Sequence, residues 1–184
     1  MKLAILDRDG TLNALADPPI TTPEQWQPLP GALQALARLT QAGWRVVLST
    51  NQPLLARGRL TMPALVRIHV RMQRELAALG GRIDAFFLCP HDVADGCDCH
   101  KPAPGLMRQI EERYGVAGSE LTVIGSCLAH LRAGAAVGAA LHLVCTGEAQ
   151  AVDARAPLAS AWPPGTRAHA SLAACVDALL RPAA

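Results

Sequence analysis

LAILDRDGTLN, Leu3 to Asn13, is the stretch from which the rest of the chain can be read. LAIL is a short apolar run ended by a charge, as expected of a strand buried on both faces. Two carboxylates follow at i, i+2 spacing, Asp7 and Asp9. An extended backbone would point both to the same side. Carboxylates that close repel each other unless a cation or a shared proton intervenes. Such a pair can act as nucleophile and acid/base group, or as metal ligands. The plainer alternative is that Asp9-Gly10 is only the turn that ends a strand.

Outward from this stretch, strands alternate with helical patterns. GALQALARLTQAG places Leu33, Leu36, Ala37 and Leu39 on one face and stops at Gly43, which predicts a helix. Arg45–Thr50 (RVVLST) reads as a second strand, residues 61–79 as a helix, and Ile83–Cys89 as a third strand. GLMRQIEERYG predicts a helix, Leu121–Gly125 a fourth strand, CLAHLRAGAAVGA a helix with its exit, and Leu141–Thr146 a fifth strand. Residues 147–165 read as loop, and SLAACVDALL as a terminal helix after one short strand at Arg167–Ala170. Short apolar strands separated by helices predict an α/β fold, a three-layer Rossmann-like parallel sheet in a single domain over residues 1–184. In such a sheet the ligand site lies beyond the carboxyl ends of the strands.

Composition narrows the function classes. Hydrophobic residues make up 51% and charged residues 17%, which excludes a disordered chain. Net charge is +2 without a basic run, and aromatics are 3%, so a nucleic-acid surface is not expected. No apolar run reaches the roughly 18 residues of a membrane span. Charge arrives by Asp7, too early for a secretory leader, so a cytoplasmic location with reduced cysteines is expected. Nothing in the pattern calls for more than a monomer.

Cys89, His91, Cys97 and Cys99 form a C-x-H-x5-C-x-C pattern within a polar loop. Three thiolates and an imidazole make a closed tetrahedral set suited to structural Zn²⁺, which would staple residues 89–100. The alternative is three free thiols and a surface histidine. Cys127, Cys145 and Cys175 sit among apolar residues and read as small core side chains.

In combination these motifs resemble the haloacid dehalogenase-like phosphatases. LDRDGTLN is similar to that family's first motif, STNQ (Ser49 to Gln52) with Arg57-Gly58 to the TNQxxxxRG stretch after its second strand, and CPH with CDCHKPAPG to its metal-binding loop and third motif. The resemblance runs from Leu3 to about Gly147, and is closest to the subgroup with heptose bisphosphate and histidinol-phosphate phosphatases. It implies Asp7 as the nucleophile, Asp9 as general acid and then base, Thr50 on the phosphoryl group and Lys101 as charge neutraliser. It also implies a Mg²⁺ ion touched by Asp7 and Asp9. Asn51, Gln52, Arg57 and His100 are implied substrate contacts, although His100 stands where the subgroup often has Arg and lacks its bidentate fork. Only residues 10–49 separate Asp9 from Thr50, which leaves no room for a large cap domain. The site is then shaped by the loops around Asp17, residues 52–59 and the zinc loop, and takes a small phosphorylated metabolite such as a sugar phosphate.

One segment departs from the pattern. The family places an Asp after the fourth strand and often a second acid four residues later. Here VIG is followed by Ser126, Cys127 and, at the second position, His130, and no acid occurs before Glu148. Mg²⁺ prefers anionic oxygen ligands, and serine is neutral. Two expectations follow: a phosphatase with a weakened Mg²⁺ site, or a non-catalytic relative that binds a phosphometabolite or a protein.

Overall fold

The computed structural model describes residues 1–181. Six parallel strands form one sheet in the order β3-β2-β1-β4-β5-β6. They are β1 (Leu3–Leu6), β2 (Arg45–Asn51), β3 (Ala85–Cys89), β4 (Leu121–Gly125), β5 (Ala140–Val144) and β6 (Arg167–His169). The helices are α1 (Ala32–Gln41), α2 (Pro53–Ala56), α3 (Met62–Ala77), α4 (Gly105–Tyr114), α5 (Leu128–Ala135) and α6 (Leu172–Leu180). The expected three-layer α/β architecture is present.

The two-residue period of β1 divides its side chains between two cores. Ala4 and Leu6 pack with Leu36 and Leu39 of α1, Ile68 and Met72 of α3, and Val176 of α6. Leu3 and Ile5 face the opposite layer, with Met107 and Ile110 of α4 and Leu131 of α5. All four residues of β1 are fully buried, which accounts for an apolar run without alternation. Thr61 and Ser171 fix the starts of α3 and α6, accepting from the N–H groups of Ala64 (3.3 Å) and Ala174 (3.1 Å).

The differences from the sequence reading are local. β3 starts at Ala85 rather than at Ile83, because the Asp84 carboxylate accepts from Val46 N–H at 2.8 Å and closes the edge there. β5 stops at Val144, where Thr146 N–H turns back to Val144 O at 2.8 Å. The short α2 carries no amphipathic signal and was not expected. Among the described residues no helix is long and apolar enough to cross a membrane.

Candidate active site

A parallel sheet brings the carboxyl ends of all its strands to one edge, whatever their separation in sequence. Here Asp7 to Asp9 leave β1, Thr50 and Asn51 end β2, and Ser126 and Cys127 follow β4, beside β1. A pocket of about 180 Å³ lies at this edge. It is lined by Asp7, Arg8, Asp9, Leu15, Thr50, Asn51, Lys101, Cys127, Ala129 and Glu148.

Asp7 is 4% exposed. Its Oδ2 accepts from the Cys127 thiol at 3.3 Å, while Oδ1 has no hydrogen-bond partner. Burial pushes its pKa up, and the charge of Lys101 pulls against that. Cys127 is thus not the small core residue that the sequence suggested. Burial, and then the charge of Asp7, push its thiol up to about 12, so it stays protonated and donates.

Lys101 is held from three sides. Its Nζ donates to Ser49 O at 2.6 Å and to His130 Nδ1 at 3.1 Å. Asn51 pins its backbone, with Oδ1 accepting from Lys101 N–H and Nδ2 donating to Lys101 O, both at 3.0 Å. His130 is fully buried, and its Nε2 lies 3.3 Å from Ile5 O. Nε2 therefore carries the proton, Nδ1 accepts, and burial together with Lys101 holds the ring's pKa far below its ordinary value. A neutral histidine here satisfies the lysine without taking its charge away from Asp7.

Asp9 is gripped by its neighbour. Arg8 Nη2 and Nε donate to its two oxygens at 2.9 and 3.2 Å, and Asn13 Nδ2 adds a bond of 3.0 Å. Arg8 is 1% exposed, and its Nη1 lies 3.5 Å from Nε2 of His69, which stacks on Phe86. Burial, and then Arg8, push His69 down to about 4, so it accepts as a neutral ring.

Ser126 is fully buried and its Oγ has no partner. It points at the junction of two glycines. A Cβ built on Gly10 would come 2.7 Å from Ser126 Oγ, and one built on Gly147 would come 2.9 Å from it. Thr146 Oγ1 closes the junction by donating to Gly10 O at 2.6 Å. Asp7 Oδ1 and Ser126 Oγ, with Thr11 Oγ1 and Asn13 Oδ1, are thus buried oxygens left unpaired around the Asp9-Gly10 turn. Such groups are normally paired, and hard oxygens in this arrangement fit a hard cation.

Residues 16–138 match the profile of the haloacid dehalogenase-like hydrolases. The chain belongs to that family.

Among haloacid dehalogenase-like proteins it is similar to D-glycero-beta-D-manno-heptose-1,7-bisphosphate 7-phosphatase of Bordetella bronchiseptica, 48% identical over 183 residues and the full length of both chains. The enzyme of that name from Pseudomonas aeruginosa is 41% identical, covering 97% of this chain and 98% of its own. A crystal structure of D,D-heptose 1.7-bisphosphate phosphatase from B. bronchiseptica, complexed with magnesium and phosphate, superposes with a TM-score of 0.90 over 98% of both chains at 48% identity. The corresponding structure from Burkholderia thailandensis gives 0.73 at 39% identity, covering 98% of this chain and 100% of that one.

The remaining expected residues lie around this haloacid dehalogenase-like site rather than in it. Gln52 and Arg57 line an adjoining cavity of about 600 Å³ that shares Arg8, Asp9, Leu15 and Asn51 with the pocket. Asp17, Pro18 and Arg59 also line that cavity. His100 lines neither; its Nδ1 lies 3.3 Å from Asn51 Nδ2. Cys89, Cys97 and Cys99 Sγ and His91 Nδ1 gather within 4.8 Å of one another. Their contacts of 3.3 to 3.7 Å suit the edges of a tetrahedron about one Zn²⁺. Arg57 binds both oxygens of Asp92, which ties this loop to the mouth of the larger cavity.

Sequence reasoning missed Arg8 and Glu148. An arginine between two aspartates reads as solvated surface, and nothing in its spacing signals burial. Glu148 lies in a stretch without periodicity, and only the approach of Gly147 to Gly10 brings it to the pocket.

Proposed function

We propose that this chain is a magnesium-dependent phosphatase of sugar phosphates, with the 7-phosphate of D-glycero-D-manno-heptose 1,7-bisphosphate as its substrate. One observation carries this reading: Asp7, Asp9, Thr50 and Lys101, distant in sequence, line one small pocket. Its volume of about 180 Å³ suits a phosphoryl group, and the adjoining 600 Å³ suits a polar sugar. Arg57 and Arg59 in that second cavity favour a substrate with another anionic group. The near-complete overlap with heptose bisphosphate phosphatases supports the choice of sugar.

Asp7 attacks phosphorus, forming an Oδ–P bond as the P–O bond to the sugar breaks. The leaving oxygen takes its proton from Asp9. Water then attacks the aspartyl-phosphate, gives its proton to Asp9, and releases phosphate with Asp7 restored. The Asp9 side chain is 34% exposed, so it takes up from solvent the proton it delivers, giving up one of its two bonds to Arg8 as it does so. Lys101 offsets the repulsion between the Asp7 carboxylate and a phosphate dianion. Thr50 binds the phosphoryl group. The Asp7 carboxylate, the Asp9 carbonyl and the Ser126 hydroxyl would hold Mg²⁺, the last directly or through water. The ion supplies positive charge to the phosphoryl oxygens. Cys89, His91, Cys97 and Cys99 would hold Zn²⁺ with no open position, which gives that ion a structural role.

A second reading, a phosphometabolite-binding protein without turnover, is favoured by Ser126, which removes one negative charge from the cation site. Phosphate release from heptose bisphosphate, histidinol phosphate and simpler sugar phosphates, with Mg²⁺ titrated, separates the two. The phosphatase reading expects Mg²⁺-dependent release that Asp7→Asn abolishes. Tight binding of these esters without release establishes the second.

A further inference from the structure

The charges around the pocket do not balance for an anion site. Asp7, Asp9 and Glu148 line it against Arg8 and Lys101, and Arg8 is already bonded to Asp9. Two carboxylates, Asp7 and Glu148, are left to one ammonium group. A phosphate dianion adds further repulsion, and an extra acid in such a pocket opposes its ligand unless a cation lies between them.

The position of Glu148 is fixed by its backbone. Thr146 Oγ1 donates to Gly10 O at 2.6 Å. Gly147 sits so close that a Cβ on it would come 2.5 Å from Gly10 Cα. The backbone N of Glu148 lies 3.8 Å from where a Cβ on Gly10 would stand. Ala149, next along, is fully buried and anchors the turn. Three successive residues thus dock on the Asp9-Gly10 turn, and the third carries a long carboxylate that lines the pocket. Two buried oxygens flank this turn, one in the pocket wall and one packed against Gly10 and Gly147. Asp7 Oδ1 and Ser126 Oγ are without hydrogen-bond partners, on residues only 4% and 0% exposed. The Thr11 hydroxyl, also buried without a partner, could serve Asp7 as a donor, but only a cation would also draw in a further carboxylate.

We propose that Glu148 supplies the carboxylate that Ser126 lacks, completing a hard divalent-cation site from the loop after β5 instead of the loop after β4. The proposal rests on the phosphatase reading. Glu148 coordinates the ion directly or through one of its waters, and restores the negative charge lost at position 126.

Mn²⁺ prefers the same hard oxygen ligands and can be followed by electron paramagnetic resonance in the zinc-loaded full chain. Wild type, Glu148→Gln, Glu148→Asp, Ser126→Asp and the Ser126→Asp/Glu148→Gln double variant are titrated with Mn²⁺, with and without inorganic phosphate. Glu148→Gln is expected to weaken Mn²⁺ binding about tenfold or more, Glu148→Asp less, and the double variant to recover most of the loss. Glu148 is exposed, so its variants fold, and unchanged thermal midpoints without Mn²⁺ verify this. Glu148→Gln binding Mn²⁺ within twofold of wild type overturns the proposal while leaving a phosphatase whose cation site is Asp7, Asp9 and Ser126 alone. Wild type that binds no Mn²⁺ while Ser126→Asp does overturns both this proposal and the magnesium-dependent reading.

Discussion

Ser126→Asp puts the carboxylate back where the family carries it, and the structure predicts opposite effects with and without metal. The replaced hydroxyl is fully buried and bonded to nothing. A carboxylate there joins Asp7, whose own pKa burial has already raised and which only Lys101 pulls down by its charge. For two carboxylates about 5 Å apart at an effective dielectric constant of about 20, the repulsion is about 3 kcal/mol. For a chain of this length that lowers the thermal midpoint by about 6 to 12 °C in chelator. With Mg²⁺ the sign reverses. A charge-assisted contact contributes about 1.5 to 3 kcal/mol against about 1 for a neutral one, so Mg²⁺ binds about 2- to 30-fold more tightly than in wild type. Thermal melts in chelator and across a Mg²⁺ series, paired with phosphate release, measure both. A variant no less stable than wild type in chelator, or an unchanged Mg²⁺ midpoint, refutes the placing of position 126 beside the cation.

Burial raises the pKa of Asp7, so the folded chain holds that proton more tightly than the unfolded chain. Stability of the metal-free protein should then fall as pH rises from the ordinary carboxyl range through the raised pKa, relative to Asp7→Asn. A wild-type-minus-variant stability difference that grows with pH over that window contradicts this. Asn51→Ala removes both clamps on the Lys101 backbone; it should cost about 1 to 3 kcal/mol and lower kcat about tenfold with little change in KM, as steady-state kinetics and urea melts would register. Cys97→Ser should reduce bound zinc from one per chain to well below one and lower the thermal midpoint, by elemental analysis and calorimetry. A metal-free protein as stable as wild type would end the zinc assignment.

The parallel sheet, the two N-terminal aspartates and the Cys/His set were legible in the sequence, because each is a local signal. An apolar run shorter than a helix marks a buried strand, and a close spacing of thiols and imidazole marks a metal loop. The absence of an acid after VIG was equally plain, since it needs only the order of residues. What the sequence could not assign is direction across the fold. Cys127 reads as core until β4 is laid beside β1, whereupon its thiol meets Asp7 across 120 residues. His130 stands where an acid was expected, yet only packing shows it as a neutral acceptor for Lys101. Arg8 and Glu148 gave no sequence signal. One is buried because β1 ends in the sheet's central crevice, the other reaches the pocket because Gly147 lacks a side chain that would collide with Gly10. Short-range spacing is written along the chain, whereas the charge balance of a pocket depends on which loops the strand order brings together.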